Sequence, residues 1–483
     1  MIRFLPIARA LGLFLLVLAA AMLVPSAWGV IWRAGGWFPL VASAAITAAT
    51  GGVMVLAGRN APRDLVQREA LLLVVLVWFA AGTFGGLPFL LTPHFTSFTD
   101  TFFEAASGFT TTGATVLSDV EVLSEPIQFW RCFTHWIGGM GIVLLVIAIL
   151  PVVGHGGMQL YRAEFSGAKS DRLKPRIKET ALALWKIYLA LSVAQFIALM
   201  LAGMRAFDAI CHVFGTLGTG GFSTKTASIG AFQSPLIEWI VTVFMLLAGI
   251  SFIQHYRLFR ERRVRSVLSD FEIRAFLLVV VVSTIVIAAS LMWTTGYGIE
   301  HAVRAAAFQV ASIGTTTGFA SEDYELWAPL PHVVLLLLMF IGGCTGSTAG
   351  GLKVARVVLL ARVVAREFKR MVERRGVFAV RLGGRAVPET VIQSLLNLVY
   401  LALLVNAVGM VVLAASGVDV LTSITAVIAC VFNIGPGLGL VGPAEHYGHL
   451  PDVAKWTLAT AMIAGRLEFY TLVVILTPPF WRR

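Results

Sequence analysis

The sequence predicts an all-α polytopic membrane protein with ten transmembrane helices and four re-entrant pore loops. These fall into four pseudo-symmetric span–pore loop–span repeats behind an N-terminal helical pair. Three observations predict it. Of 483 residues, 58% are hydrophobic and 13% charged, with a mean hydropathy of +0.85; a soluble chain carries about 25% charged residues, so this one lacks the polar surface to cover itself in water. Apolar runs long enough to cross hydrocarbon, about 20 residues, recur along the whole chain. A small, polar, glycine-bearing stretch occurs four times at intervals of 108, 97 and 117 residues, counted between Gly113, Gly221, Gly318 and Gly435. Self-similarity at a fixed long period means copies of one structural unit.

The N-terminus comes first. Met1 to Gly29 carries Arg3, Arg9, an apolar core and Pro25-Ser26-Ala27, features shared with a cleaved signal peptide. A second apolar run, 37–57, follows at once and favours a retained helical hairpin over 1–63. Further spans fall near 69–91, 127–153, 181–203, 235–256, 272–293, 329–360, 391–415 and 453–477, which with 8–31 and 37–57 makes ten. Between the members of each later pair lies a segment too short and too polar to span: 96–118, 207–226, 300–320 and 419–440. Each begins with a helix-like stretch, such as Asp100 to Ser107 or Ile299 to Ala306, and breaks at glycine. The repeats are therefore 64–160, 161–265, 266–385 and 386–483.

Charge orients the spans. Segment 162–178 holds six Lys or Arg, 257–265 five and 356–385 nine. Segment 92–125 holds none but carries Asp100, Glu104, Asp119, Glu121 and Glu125, and 319–331 and 441–452 also carry acids without Lys or Arg. The positive-inside rule puts the basic loops and both termini in the cytoplasm, so all four glycine-bearing loops share the outer half. The net charge of +11 is spread over these short segments. It suits anionic headgroups and topology rather than nucleic acid. Cys132, Cys211, Cys344 and Cys430 lie in or beside apolar runs, with neither metal spacing nor a disulfide framework.

Irregular backbone at membrane depth must be buried in protein or line a wet path. Four such loops on one side read as a cation filter. Glycine permits angles that aim carbonyls inward, and carbonyls can replace a cation's water shell. Each preceding half-helix points its C-terminal end, about half a negative charge, at the centre. A Lys or Arg ring, which an anion would need, is missing; Lys225 follows its motif. The ion-facing set is Thr111, Thr112 and Gly113; Thr219, Gly220 and Gly221; Thr317, Gly318 and Phe319; Asn433, Ile434 and Gly435. The fourth copy departs most, with Asn433, Ile434 and Pro436.

Phe129-Trp130-Arg131, Trp136-Ile137-Gly138-Gly139-Met140-Gly141, Gly342 to Gly351 and Gly465-Arg466 together resemble the TrkH-type subunits of the Trk/Ktr/HKT potassium transporter superfamily, over nearly the whole chain. The resemblance implies potassium uptake across a bacterial inner membrane through one pseudo-fourfold pore per protomer. It also implies a homodimer and a cytosolic ring of TrkA-like nucleotide-binding subunits. The family's filter glycines fall on Gly113, Gly221, Gly318 and Gly435. Some sodium-carrying relatives have serine at the first, so glycine at all four favours potassium, with rubidium tolerated.

Gly342, Gly343, Cys344, Thr345, Gly346, Ser347, Thr348, Ala349, Gly350 and Gly351 contain five glycines and no large side chain. A glycine costs about 1 kcal/mol per helical position relative to alanine, so the span near 329–360 should break there. Close helix packing through small residues and a flexible loop blocking the path below the filter both account for it; the resemblance supports the loop. Arg466, near the middle of the last span, must face the bundle interior or water. It reads as either a helix-bridging ion pair or a charge restraining cations below the filter. Glu468, two residues on, faces elsewhere on a straight helix.

His135, His212 and His301 read as helix-end hydrogen bonders, and Asp100, Glu104, Glu322 and Asp323 as solvated charges or a cation-concentrating mouth. Segment 356–385 is a docking face or a lipid-facing basic loop. With no Walker motif or dinucleotide fingerprint, nucleotide control would come from another chain. Two other functions remain: a sodium- or proton-coupled symporter on the same scaffold, and a multispan membrane enzyme. Against the enzyme, no loop gathers an acid, a base and a nucleophile.

Overall fold

A computed structural model describes residues 2–62, 64–153, 177–262, 264–374 and 376–482. The helices are α1 (Phe4–Ile31), α2 (Phe38–Ala57), α3 (Gln67–Leu90), α4 (Phe98–Phe109), α5 (Glu125–Val153), α6 (Ile177–Leu201), α7 (Ala206–Leu217), α8 (Pro235–Gly249), α9 (Phe252–Phe259) and α10 (Val264–Leu268). They continue as α11 (Phe271–Thr294), α12 (Ile299–Gly314), α13 (Pro329–Ile341), α14 (Val354–Val372), α15 (Glu389–Ala415), α16 (Val420–Val431), α17 (Asp452–Arg466), α18 (Tyr470–Leu476) and α19 (Pro478–Trp481). A two-rung antiparallel ladder, β1 (Arg381–Leu382) against β2 (Arg385–Ala386), interrupts the helical pattern. It turns on Gly383 and Gly384, both at positive φ.

Among the described residues, α1, α2, α3, α6, α11 and α15 are long and apolar enough to cross a membrane. Two expected spans are bent instead of straight: α8 turns by 100° into α9, and α17 by 117° into α18. The break expected within 329–360 is present, between Ile341 and Val354. Most of the basic segment 162–178 lies outside the described residues.

The N-terminal pair packs through small residues. A Cβ on Gly12 would lie 2.7 Å from the Gly51 carbonyl oxygen, and one on Gly51 2.8 Å from that of Gly12. Arg3 Nε joins the pair to α3 through Glu69 Oε1 at 2.8 Å. Residues 4–31 are thus packed against α2 and α3. α3 offers a second glycine groove. Phe102 and Phe109 of α4 lie against Gly82 and Gly85, and the Thr101 carbonyl against Gly86.

Four helices, α4, α7, α12 and α16, have 12, 12, 16 and 12 residues. At 1.5 Å per residue they reach about 18–24 Å, short of the roughly 30 Å hydrocarbon. Their packing is cyclic. Each sits between its own two flanking helices and one from the copy before: α4 among α3, α5 and α17; α7 among α6, α8 and α5; α12 among α11, α13 and α8; α16 among α15, α17 and α13. Copy four therefore touches copy one, and the arrangement closes.

Candidate functional site

Each short helix ends in the same backbone figure. Thr111, Thr219, Thr316 and Asn433 are left-handed, with φ of 54°, 53°, 56° and 56°. Two residues on, Gly113, Gly221, Gly318 and Gly435 have φ of 84°, 78°, 81° and 102°. The residue between them donates its N–H five residues back: Thr112 to Ser107 O at 2.9 Å, and Gly220 to Gly215 O, Thr317 to Ser312 O and Ile434 to Ala429 O at 2.8 Å. This bond closes a helix C-terminus of the Schellman type. A non-glycine residue held left-handed costs roughly 1–2 kcal/mol, and such strain persists where the surroundings over-determine it.

That register corrects the third copy. Sequence reading assigned Thr317, Gly318 and Phe319; the backbone aligns Thr316, Thr317 and Gly318 with the triplets of the other copies. Phe319 is fully buried, its ring against Gly215 and 5.7 Å from that of His212. Thr316 is the residue the sequence reading missed.

The four figures meet in a ring. A Cβ built on Gly113 would fall within 3.0 Å of the Gly220 carbonyl oxygen, one on Gly221 of Thr317 O, one on Gly318 of Ile434 O and one on Gly435 of Thr112 O. Each glycine lies against the carbonyl of the next copy, and the fourth returns to the first. Glycine is required twice over at each place, by its φ and by this approach. Thr111, Thr112, Gly113, Thr219, Gly220, Gly221, Thr317, Gly318, Asn433, Ile434 and Gly435 are all within this assembly.

On one side of the ring, Gly113, Gly221, Gly318 and Gly435 line one cavity of about 90 Å³, with Arg131, Lys225 and Tyr447 in its wall. The acids expected at a mouth are mostly structural ties. Asp100 is buried and pairs with Lys455 Nζ at 2.6 Å; Glu104 is buried and pairs with Arg131 Nε at 2.6 Å. Glu322 accepts from His301 Nε2, and Asp323 caps Glu325 N at 3.0 Å. Asp119 instead is exposed; Thr226 Oγ1 donates to it at 2.7 Å and holds its carboxyl below the usual range.

On the opposite side of the ring, residues 342–353 form a loop packed against it. Gly350 N donates to Thr316 Oγ1 at 2.6 Å, Gly351 N to Phe432 O at 3.2 Å and Thr348 Oγ1 to Leu217 O at 3.0 Å. Three of the four copies are thereby tied to it. Its base is fixed as well: Cys344 N donates to Gly249 O at 2.8 Å, Gly346 O accepts from Phe252 N at 3.0 Å, and Glu272 Oε1 accepts from Thr345 N and Ala355 N at 2.6 and 3.2 Å. The segment is a loop, and its small residues also pack closely: a Cβ on Gly350 would clash with the Phe432 carbonyl oxygen. Arg466 Nη1 donates to Thr348 O at 3.0 Å, so this arginine meets the loop itself. Glu468, which the sequence did not pair with Arg466, lies beyond the helix break and pairs with Arg356 at 2.6 Å. Loop, Arg466, Lys353 and Asn433 line a cavity of about 90 Å³.

Behind the ring, side chains brace the turns. His135 Nδ1 is 2.8 Å from Gly108 O, and its ring lies against Gly220. Tyr447 Oη donates to Gly435 O at 2.7 Å, and Tyr324 Oη to Gly437 O at 2.9 Å. His212 Nδ1 meets Asp208 O at 2.7 Å and Nε2 meets Ser223 Oγ at 2.9 Å. The histidines are hydrogen bonders, as expected. The tyrosines carried no sequence signal, because their partners are backbone carbonyls brought up by the fold.

Comparison with known proteins matches these features to one family. Residues 41–479 fit the TrkH family model, described as a cation transport protein. A Trk system potassium uptake protein TrkH from Halomonas elongata is 42% identical over 479 residues, covering 99% of each chain. Its counterpart from Escherichia coli K12 is 41% identical over 487 residues, covering 99% of this chain and 100% of that one. The crystal structure of the potassium transporter TrkH from Vibrio parahaemolyticus superposes with a TM-score of 0.90 at 40% identity, over 100% of both chains. These relatives are transporters and not enzymes. By motif, by fold and by identity along its whole length, the chain belongs to the TrkH family of cation transport proteins.

Proposed function

We propose that this chain takes up potassium across the inner membrane of a bacterium through the axis of the four-turn ring, with rubidium also permeant. The observation that carries the proposal is the ring itself. The carbonyls of Thr112, Gly220, Thr317 and Ile434 stand at equivalent positions around one closed circuit, and oxygens so placed can replace an ion's water. Four helix C-termini converge on it and favour a cation. The broken and bent helices complete ten spans, the short helices α4, α7, α12 and α16 being re-entrant from outside and both termini cytoplasmic.

The loop 342–353 is the gate in this reading. It lies under three of the four turns, and Arg466 adds a positive charge beside it. A TrkA-like cytosolic nucleotide-binding subunit would move it, meeting the basic face of α14 and the β1–β2 turn, in a homodimer with one pore per protomer.

The test is rubidium flux into liposomes holding the purified protein, with sodium as competitor, repeated on Gly113→Ser. Wild type should pass rubidium and resist sodium without any imposed proton or sodium gradient. The variant, whose new side chain meets the Gly220 carbonyl, should lose most of that discrimination. Flux that requires a coupling gradient would point to a symporter, and unchanged discrimination in the variant would remove the ring from the mechanism.

A further inference from the structure

Helix α6 has two faces. Leu184, Tyr188 and Leu191 turn inward and pack with Met140, Leu217 and Phe252. On the other side, Ala183, Ala190 and Ala194 lie on one stripe, at spacings of seven and four. They floor an open groove of about 670 Å³ whose opposite wall is Tyr256, Phe259 and Arg260, with Lys186 at the same level. The volume is that of a small-molecule site.

Read with α8 as a span, the bend sets this groove at the membrane boundary. The 100° turn then lays α9 near the membrane plane, with Arg257, Arg260 and Arg262 on it or just after it. Lys186 lies nine residues along α6 from Ile177, about 14 Å, and meets α9 at the groove. Both cations are therefore at headgroup depth. From Lys186, α6 runs on to Leu201 without a charged residue, about 22 Å of apolar helix. The groove thus leads from a basic rim into hydrocarbon.

Lys186 and Arg260 are both exposed, and among the described residues neither has an ion-pair partner. A cation at the hydrocarbon edge calls for a counter-charge, and at that depth the bilayer supplies phosphate. A zwitterionic headgroup brings its own cation to compete; a net-negative one does not. We infer that the groove between α6 and α9 is a binding site for an anionic glycerophospholipid. Its phosphate lies between Lys186 and Arg260, the Tyr256 phenol is beside it, and one acyl chain follows the alanine stripe.

Native mass spectrometry of the purified full chain, titrated with phosphatidylglycerol or phosphatidylcholine, reads this directly. Wild type should retain one phosphatidylglycerol that the double variant Lys186→Ala/Arg260→Ala holds about 30-fold more weakly, the loss expected for two headgroup cations. Ala190→Trp, which fills the groove and leaves both cations, should abolish the same binding event. The three substituted residues are exposed, and an unchanged elution profile and melting temperature confirm the fold. Equal phosphatidylglycerol retention by all three proteins overturns the inference, as does phosphatidylcholine held as tightly as phosphatidylglycerol. A shift from dimer to monomer on Ala190→Trp with lipid retention unchanged would also overturn it, by giving the groove to a second copy of the chain.

Discussion

Glu104 ties three parts of the site together. One carboxylate accepts from Arg131 Nε at 2.6 Å, Thr115 Oγ1 at 2.9 Å and Val116 N at 2.9 Å. Arg131 in turn donates to Ser223 O at 3.1 Å and stands 3.5 Å over the Phe222 ring. The pair joins the outgoing strands of copies one and two at full burial. Removing one partner leaves an uncompensated charge, a loss of about 3–5 kcal/mol, whereas replacing both with apolar groups is often close to neutral. Glu104→Ala should therefore melt well below wild type, and Glu104→Leu/Arg131→Met should recover most of the difference. A double variant no more stable than the single would mean that shape, not charge pairing, holds these strands. Thr316 allows a second test at the same scale. Its hydroxyl is the one direct bond among the described residues from a ring turn's side chain to the loop's Gly350 N. Valine keeps the shape and the β-branch while removing the acceptor. Thr316→Val should raise rubidium flux and Thr316→Ser should not; equal flux from both would show that this bond does not restrain the loop.

Among the elements, the apolar runs, the four short helices and the break within 329–360 were legible in the sequence, because each is set by composition within about 20 residues. The bends were not. α8 ends where the Gly249 carbonyl accepts from Cys344, 95 residues away in the chain. α17 ends at Arg466, and the turn beyond it is made by Glu468 and Phe469, both at positive φ, with neither glycine nor proline at the left-handed positions. Glu468 is held there by Arg356 and Phe469 by burial. No local pattern announces a turn made by partners so distant. The third ring triplet slipped by one residue for a different reason: the alignment of Gly318 with Gly113, Gly221 and Gly435 already puts Thr316 two residues before the glycine, and the run Thr315-Thr316-Thr317 masked that register. The bend also explains why Arg466 reaches the loop. It is the last residue of α17, free of the straight helix assumed from sequence, and its Nη1 meets Thr348 O. Arg466→Ala should both remove a positive charge from the path and release the loop, so its flux should rise severalfold. Trimming within 345–349 should raise it similarly, and combining the two should add little if both act on one barrier. A combined variant whose effects multiply would separate the charge from the loop.

The whole molecule is a ring of four unequal copies, and its closure depends on the copy that departs most from the motif. Sequence reading found the fourth stretch weak because Asn433 and Ile434 replace Thr and Gly. In the fold, Asn433 takes the same left-handed angle as its three threonine counterparts, and asparagine occupies that region at lower cost than a β-branched residue. Its amide does what threonine cannot: Nδ2 donates to Thr112 Oγ1 at 2.9 Å and to Met462 O at 3.0 Å. Thr112 Oγ1 is in turn 2.8 Å from Thr110 Oγ1. Copies four and one are thus joined by a side-chain bond at the place where a chain of four repeats has no covalent link to close its circle. Asn433→Thr would make the motif more regular and the ring less complete. The substitution should lower the melting temperature, since a buried bond lost is worth about 0.5–1.5 kcal/mol and the backbone strain adds to it. It should also weaken discrimination of rubidium against sodium, because the carbonyls of Thr112 and Ile434 would no longer be held at a common spacing. If the more symmetric variant discriminated as well as wild type, the ring would be closed by helix packing alone, and the asparagine would be a relic of repeat divergence, not a part of the mechanism.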